Sequence, residues 1–441
     1  MIYSKEEVLN GSTKAAGAGQ PPTNVRRIVL GLTVAAYMIT YMDRVVMSAA
    51  VPSIQKEFGF SLITMGWIIS SFRWAYAIFQ IPGGWLGDRF GPRRTMSAIV
   101  VWWSVFTSLT TQAWSAVSMG AIRFLFGMGE AGAFPIATRS LSGWVLPAER
   151  GFVQGLTHAG SRLGAALTPP LVVFLLLRYG WRTPFILFGL LGLAWAAVWY
   201  WYYRDSPAEH KSVNAAEREL LGSSAASPRR VIGRRVPWNT ILSSPQMWTI
   251  SAMYFCYAYS IDFYLSWFPK YLNAARGLSL EAMGLYASVP LIAGTAGDLL
   301  GGWISDIWLK RSGQITRSRR TVAIFGFLFA AACVWPAYQS PNAAASVLFS
   351  GLVMFGLEIT VGVSWALTMD IGGEFAGSVS AVMNTCGNLG GALASALVAY
   401  FVEMFGWHMP FLTIGVLSVA GALLFLRIDA EKRIAFDVQT S

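Results

Sequence analysis

Residues 83–94 read GGWLGDRFGPRR, and residues 301–311 read GGWISDIWLKR, 218 positions further on. The same offset relates GFSLITMG (59–66) to GLSLEAMG (277–284), and GWRTPF (180–185) returns as GWHMPF (406–411). The order of these stretches is the same in each half of the chain. The sequence is therefore duplicated head to tail.

What is duplicated follows from composition. Apolar residues make up 55% of the 441 positions and charged residues only 12%, where a soluble domain carries about twice that charge. Apolar runs of roughly 20 residues recur along the whole chain, each long enough to cross a ~30 Å hydrocarbon core. Twelve are expected, at 27–49, 62–85, 95–113, 115–137, 152–178, 182–203, 246–269, 281–308, 320–338, 343–367, 375–402 and 408–428. The stretch 319–370 is the hardest to divide. The expected organisation is a polar tail over 1–25, a six-helix half over 26–203, a charged linker over 204–245, a second six-helix half over 246–428 and a tail over 429–441. The linker is expected to carry short helices around NAAEREL. No cleavable signal precedes the first run, which then acts as an uncleaved insertion signal.

A net charge of +11 raises the possibility of nucleic acid, but its placement speaks against it. Twenty-four Lys and Arg lie in the tails and alternate loops, five in the other loops, and four, Arg44, Arg73, Arg123 and Arg162, within the runs. Positive-inside bias places both termini in the cytoplasm. Cys256, Cys333 and Cys386 fall within apolar runs without metal or disulfide spacing and read as small packing residues. Glycine strings such as GMGEAGAF lack the strand-to-helix setting of a nucleotide loop. No metal site, cofactor or nucleophile–base arrangement is expected. Two parallel six-span halves are a transporter plan, with the substrate bound at the midplane between them.

GGWLGDRFGPRR resembles the loop 2–3 signature of the major facilitator superfamily, and the copy at 301–311 is its degenerate partner. YMDR (41–44), YAIFQIPGGW (76–85), RFLFGMGEAGAFP (123–135), SWFPKYL (266–272), SW (364–365) and NTCGNLGG (384–391) are similar to the anion:cation symporters of that superfamily, which include sugar-acid permeases and sialin-type transporters. The resemblance implies an all-α integral membrane protein, twelve helices in two parallel-repeat halves, working by alternating access. It implies that Gly84, Asp88, Arg89, Gly91, Arg93, Arg94 and Asp306 form a gating motif, with Asp88 and the nearby cations as a charged latch. Two places depart from the pattern: Arg73, where a neutral residue is expected, and Ser161–Arg162, where the galactonate-type pattern has glutamine and an aromatic.

Ionised groups in a membrane core are functional candidates by default. Asp43 and Arg44 point about 100° apart and each needs its own partner or water. Arg123 and Glu130 share a face about 10.5 Å apart along the axis. Arg73, Tyr76 and Gln80 share another. Asp43, beside Arg44, is expected to stay ionised, and Glu130, in a glycine-lined stretch, to favour its neutral form. These two are the candidate proton-coupling carboxylates, a role the resemblance also supports. Guanidinium binds carboxylate through a planar fork, so Arg44, Arg73, Arg123 and Arg162 are candidate anion ligands, with Tyr76, Gln80, Ser161 and Asn384 as hydrogen-bonding partners and Trp365 as an apolar wall. Each arginine could instead be a structural pair. Asp262, Asp298 and Glu358 read as packing polars, and the second half holds no intramembrane cation.

The expected function is symport of a small organic anion, a sugar acid or another carboxylate, with a proton. Sodium symport or anion or phosphate-ester exchange is the alternative, and a non-transporting receptor the third. The chain is expected to be a monomeric multi-pass protein of the bacterial inner membrane whose partners are its substrate, the coupling ion and the lipid bilayer.

Overall fold

A computed structural model of the protein describes residues 21–60, 62–224, 236–278 and 280–434. The expectations for most of the N-terminal tail, the middle of the linker and the end of the C-terminal tail fall outside these residues. Backbone groups in lipid must find their partners within the chain, and helices do this segment by segment. Among the described residues twelve helical spans follow in order. The first half holds span 1 (Val25–Phe58), span 2 (Leu62–Phe90), span 3 (Pro92–Leu109), span 4 (Ala116–Glu130 and Ala133–Ser142), span 5 (Arg150–Tyr179) and span 6 (Arg182–Tyr202). The second half holds span 7 (Pro245–Asp262, a π turn over Phe263–Trp267, then Phe268–Ala274), span 8 (Leu280–Ser312), span 9 (Ile315–Gln339), span 10 (Ala343–Gly372), span 11 (Ala376–Phe405) and span 12 (His408–Phe425). The stretch expected to be ambiguous divides at 340–342. A short helix, Ala215–Ser224, covers most of the NAAEREL segment.

Local chemistry sets several boundaries. Span 1 stops at Gly59, whose φ of 67° is left-handed, a conformation glycine adopts without a Cβ penalty. Span 3 starts with Pro92, where the missing N–H costs nothing. Ser115 caps span 4 by accepting from the Ser118 N–H. Span 4 breaks at Ala131–Gly132, and there it meets span 2: a Cβ on Gly83 would lie 2.5 Å from Gly132 Cα.

The burial pattern is that of a protein in lipid. Leu190, Val198, Phe325, Leu348, Leu412 and Leu423 are exposed, while Asp43, Glu130, Asp298 and Glu358 have no exposed surface. By length and mean hydropathy alone, five stretches of the described residues could cross a membrane. The halves meet mainly where span 2 lies against span 11 and span 5 against spans 8 and 10. Loops 2–3, 4–5, 8–9 and 10–11 emerge on the face that also carries residues 25 and 425, here called the tail side.

Candidate functional site

On the tail side the two signature copies clasp the opposite halves. The Asp88 carboxylate, at the end of span 2, accepts from the backbone N–H groups of Gly377 (3.3 Å) and Ser378 (2.6 Å), the first turn of span 11. Asp306, in span 8, accepts from Gly151 (3.2 Å) and Phe152 (2.6 Å), the first turn of span 5. Each carboxylate therefore sits on a helix N-terminus, where unpaired N–H groups and the helix dipole favour negative charge. Gly84 makes the approach possible, since a Cβ there would lie 2.6 Å from the Gly377 carbonyl oxygen.

The cations of the latch are not those the motif suggested. Arg139 of span 4 faces Asp88 at 3.4 Å. Arg89 packs over Trp85, and Arg93 donates its backbone N–H to Asp205 and its Nε to the Tyr200 carbonyl. Neither reaches the second half, and Arg94 is exposed. Gly91 sits against Asp205 with φ 85°. At the second copy, Arg319 lies 2.7 Å from Asp306 and 3.3 Å from Asp370, which also pairs with Arg150 at 2.8 Å. Arg319 reads as a loop cation in the sequence, yet it is 1% exposed, where the halves meet, and it also donates to the Pro147 carbonyl of the first half at 3.1 Å. A helix end buried by two carboxylates can hold a guanidinium that a lipid-facing one could not.

Above the latch, rings from both halves form a floor. Phe134 lies 4.3 Å from Tyr37, 5.7 Å from His158 and 6.0 Å from Trp365. Trp365 donates to Tyr254 Oη at 2.9 Å. Trp365 is thus part of this floor, almost wholly buried, rather than an open wall.

The charged residues lie above that floor in separate groups. Arg44 forms an ion pair with Glu130, and its guanidinium lies over the rings of Tyr76 (4.6 Å) and Tyr41 (4.9 Å), with Phe72 and Phe134 behind. Its side chain is 22% exposed while that of Glu130 is closed off. The expected pattern of charges is therefore rearranged: the cation beside Asp43 in the chain belongs to Glu130, because the two neighbours leave the helix in different directions. Asp43 is fully buried, near Trp103 and Thr107 and within electrostatic reach of Glu130 and Arg123. Arg123 is 2% exposed and stacks 4.2 Å from the Phe126 ring.

Arg162 crosses to the other half, to Asp298 and Glu358. Gln80 also crosses, accepting from Asn388 at 2.7 Å, and Asn388 in turn donates to the Asn384 carbonyl. Ser161 is buried, with its hydroxyl turned back to the His158 carbonyl at 2.6 Å. Arg73 stands apart on the side away from the tails, 61% exposed and 4.0 Å from Asp262 of span 7. Sequence reasoning missed Tyr41 and Phe72 as ring neighbours of Arg44, Asn388 as the partner of Gln80, and Asp298 and Glu358 as partners of Arg162. The last two were detectable: an intramembrane arginine with no carboxylate to spare in its own half must find one in the other.

The sequence model of the Major Facilitator Superfamily matches residues 33–395. The chain belongs to that superfamily. This facilitator protein is 37% identical over 405 residues to a probable sulfoacetate transporter of Cupriavidus necator, covering 92% of this chain and 94% of the relative. It is 32% identical over 397 residues to the hexuronate transporter of Bacillus subtilis, covering 89% and 92%. A probable galactarate/D-glucarate transporter of Escherichia coli is 29% identical, covering 92% and 95%. The fold matches a proton:xylose symporter structure with a TM-score of 0.75 at 14% identity, covering 93% of this chain and 98% of that one. It matches the human organic anion transporter MFSD10 with a TM-score of 0.72 at 15% identity, covering 92% and 100%. The facilitator is a multi-pass membrane protein of a transporter group, and its relatives are not enzymes.

Proposed function

We propose that this protein is a secondary transporter of a small organic anion, a sugar acid or another carboxylate or sulfonate, carried by alternating access together with a proton. One observation carries the reading: Arg44, held through its Nε by Glu130 inside a ring of aromatic side chains partway along span 1, keeps a partly exposed side chain and a buried Nη2 with no hydrogen-bond partner among the described residues. A guanidinium so placed can bind a carboxylate or sulfonate through two N–H groups in a site of low dielectric. The nearby rings supply an apolar wall, and Asn384 and Gln80 supply polar contacts. Relatives named for hexuronate, galactarate and sulfoacetate support the substrate class.

The latches describe one state of the cycle. With the tail side taken as cytoplasmic, on the 24-to-5 split of basic residues, the protein stands closed to the cytoplasm. Arg44 and Glu130 give proton coupling a means. Protonation of Glu130 removes the competitor for the guanidinium, so proton and anion favour each other's binding. The reading places the six-helix halves at 26–203 and 246–428, the termini and the 204–245 linker in the cytoplasm, and a monomer in the bacterial inner membrane.

The test is uptake into proteoliposomes under an imposed pH gradient, with labelled hexuronate, galactarate and sulfoacetate. Accumulation of one of them, abolished by collapsing the gradient, is expected. Accumulation that instead follows a sodium gradient would overturn proton coupling, and no uptake of any organic anion would overturn the substrate class.

A further inference from the structure

Arg162 of span 5 lies between two carboxyl groups of the opposite half. Its Nε is 2.9 Å from Asp298 Oδ2 on span 8, and its Nη2 forms an ion pair with Glu358 Oε1 on span 10. Both carboxyl groups are wholly buried. Span 7 contributes Tyr257, whose hydroxyl donates to Glu358 Oε2 at 2.9 Å. Tyr254 of the same span, Tyr41 of span 1 and His158 of span 5 are the other titratable groups within reach of the cluster. Among the described residues, no second cation is paired with either carboxyl group.

The charge count is unbalanced. Two ionised carboxylates against one guanidinium leave a net negative charge with no surface on which to be hydrated. The helices are closely packed around the pair: a Cβ on Gly297 would meet the Glu358 side chain at 3.1 Å, and one on Gly155 would run into the Asp298 carbonyl. Buried charge without a partner is costly, and a titratable group in that position takes up a proton instead. Asp298 and Glu358 are also within side-chain hydrogen-bonding reach of each other. Ionised carboxylates only accept hydrogen bonds, so that contact is favourable only if one of them carries a proton.

We propose that Asp298 and Glu358 hold one proton between them while the tail side is shut. The pair is then a protonation site separate from Asp43 and Glu130, and Arg162 is the tether that links its charge to the approach of the two halves. Parting the tail side moves span 5 away from spans 8 and 10. Water can then reach the carboxyl pair, hydrate its charge and take up the proton. What the proton does during transport rests on the symport reading; its presence in the closed state does not.

Infrared spectroscopy of the full chain in lipid nanodiscs at neutral pH tests this through the C=O stretch of protonated carboxyl groups. Asp298→Asn and Glu358→Gln should each remove the same one-proton component, because the remaining carboxylate is then matched by Arg162. Arg162→Gln should enlarge it, because no cation remains to hold either carboxylate ionised. An unchanged band in Asp298→Asn or Glu358→Gln would overturn the proposal, as would a smaller band in Arg162→Gln. A wild-type spectrum with no protonated-carboxyl band would overturn it without any variant. Failure of every acid to accumulate in proteoliposomes would strike the transport reading and leave the infrared result standing.

Discussion

Arg44 is paired with Glu130, 86 positions away in the chain, and not with its neighbour Asp43. The pairing divides the carboxylates of the first half into two kinds. On the proposed reading, Glu130 competes with an incoming anion for one guanidinium. Asp43 lies behind, fully buried near Trp103 and Thr107 of span 3 and within electrostatic reach of Glu130 and Arg123.

Replacing either arginine with lysine retains the charge but removes the planar fork. Arg44 is partly exposed and Arg123 almost wholly buried, so Arg44→Lys should weaken substrate binding more. The loss of one charge-assisted bond, about 1.5–3 kcal/mol, corresponds to roughly tenfold to a hundredfold in Kd. Arg123→Lys should change Kd less and lower thermal stability more, since the ammonium cannot stack on Phe126 as guanidinium does. Isothermal titration and thermal unfolding on both variants check this; a larger affinity loss in Arg123→Lys would reverse the ranking.

The fold was legible because its signals are redundant. The repeat at an offset of 218 residues, the apolar runs and the alternation of basic loops all point to the same architecture. The site was legible only in part. Spacing along one helix placed Arg123 and Glu130 on a face, but it carries no information about which helix lies opposite. The partners of Arg162 and Gln80, and the backbone N–H groups that Asp88 accepts from, come from the other half of the chain. Ser161 illustrates the reverse error: its position suggested a ligand, yet a hydroxyl in a helix can satisfy itself on a carbonyl of the preceding turn. Arg319 was misplaced because a cation at a helix end looks the same in sequence whether it meets water or two buried carboxylates.

The two latches are expected to act in parallel. Asp88→Asn replaces a charged acceptor of two backbone N–H bonds with a neutral one, and Asp306→Asn does the same at the second copy. Bonds to a charged group contribute about 1.5–3 kcal/mol each. Either variant should therefore raise the population open on the tail side by roughly tenfold or more relative to the closed one, and the double variant more than either. Spin-label distances between spans 2 and 11, and between spans 5 and 8, measure this. Unchanged distributions in both single variants would remove the carboxylates from the gate.

Away from the tail side, Glu57 at the end of span 1 accepts from Arg182 Nη1 at 2.9 Å and Trp181 Nε1 at 2.7 Å. These bonds, with Arg182 first, hold the Glu57 carboxyl below its ordinary value. A depressed value in the folded state adds stability above the unfolded-chain value, near pH 4.3, and that stability is lost as pH falls through the folded value. Both side chains are more than 40% exposed, so the contribution is small, under about 1 kcal/mol. Glu57→Gln should lower the unfolding temperature slightly at pH 7, the difference shrinking in high salt and vanishing as pH falls through the folded value. A difference that grows on acidification would contradict the sign.

Glu130→Gln separates binding from coupling. The neutral amide occupies the position of a protonated carboxyl and leaves Arg44 without its competitor, so the anion should bind without needing a proton. Exchange of labelled for unlabelled substrate across the membrane should persist, with affinity that no longer rises as pH falls. Concentration of substrate by a pH gradient should fail, because no proton is released in each cycle. Asp43→Asn makes a different prediction, because the ion pair of Arg44 does not depend on Asp43. It should leave exchange and pH-driven accumulation in place and shift their pH dependence, through the loss of a negative charge near Glu130 and Arg123. Measuring both activities for both variants distinguishes the roles. Full pH-driven accumulation by Glu130→Gln would take the proton away from this residue and pass it to Asp43, if Asp43→Asn then loses accumulation, or to the carboxyl pair at Asp298 and Glu358, if it does not.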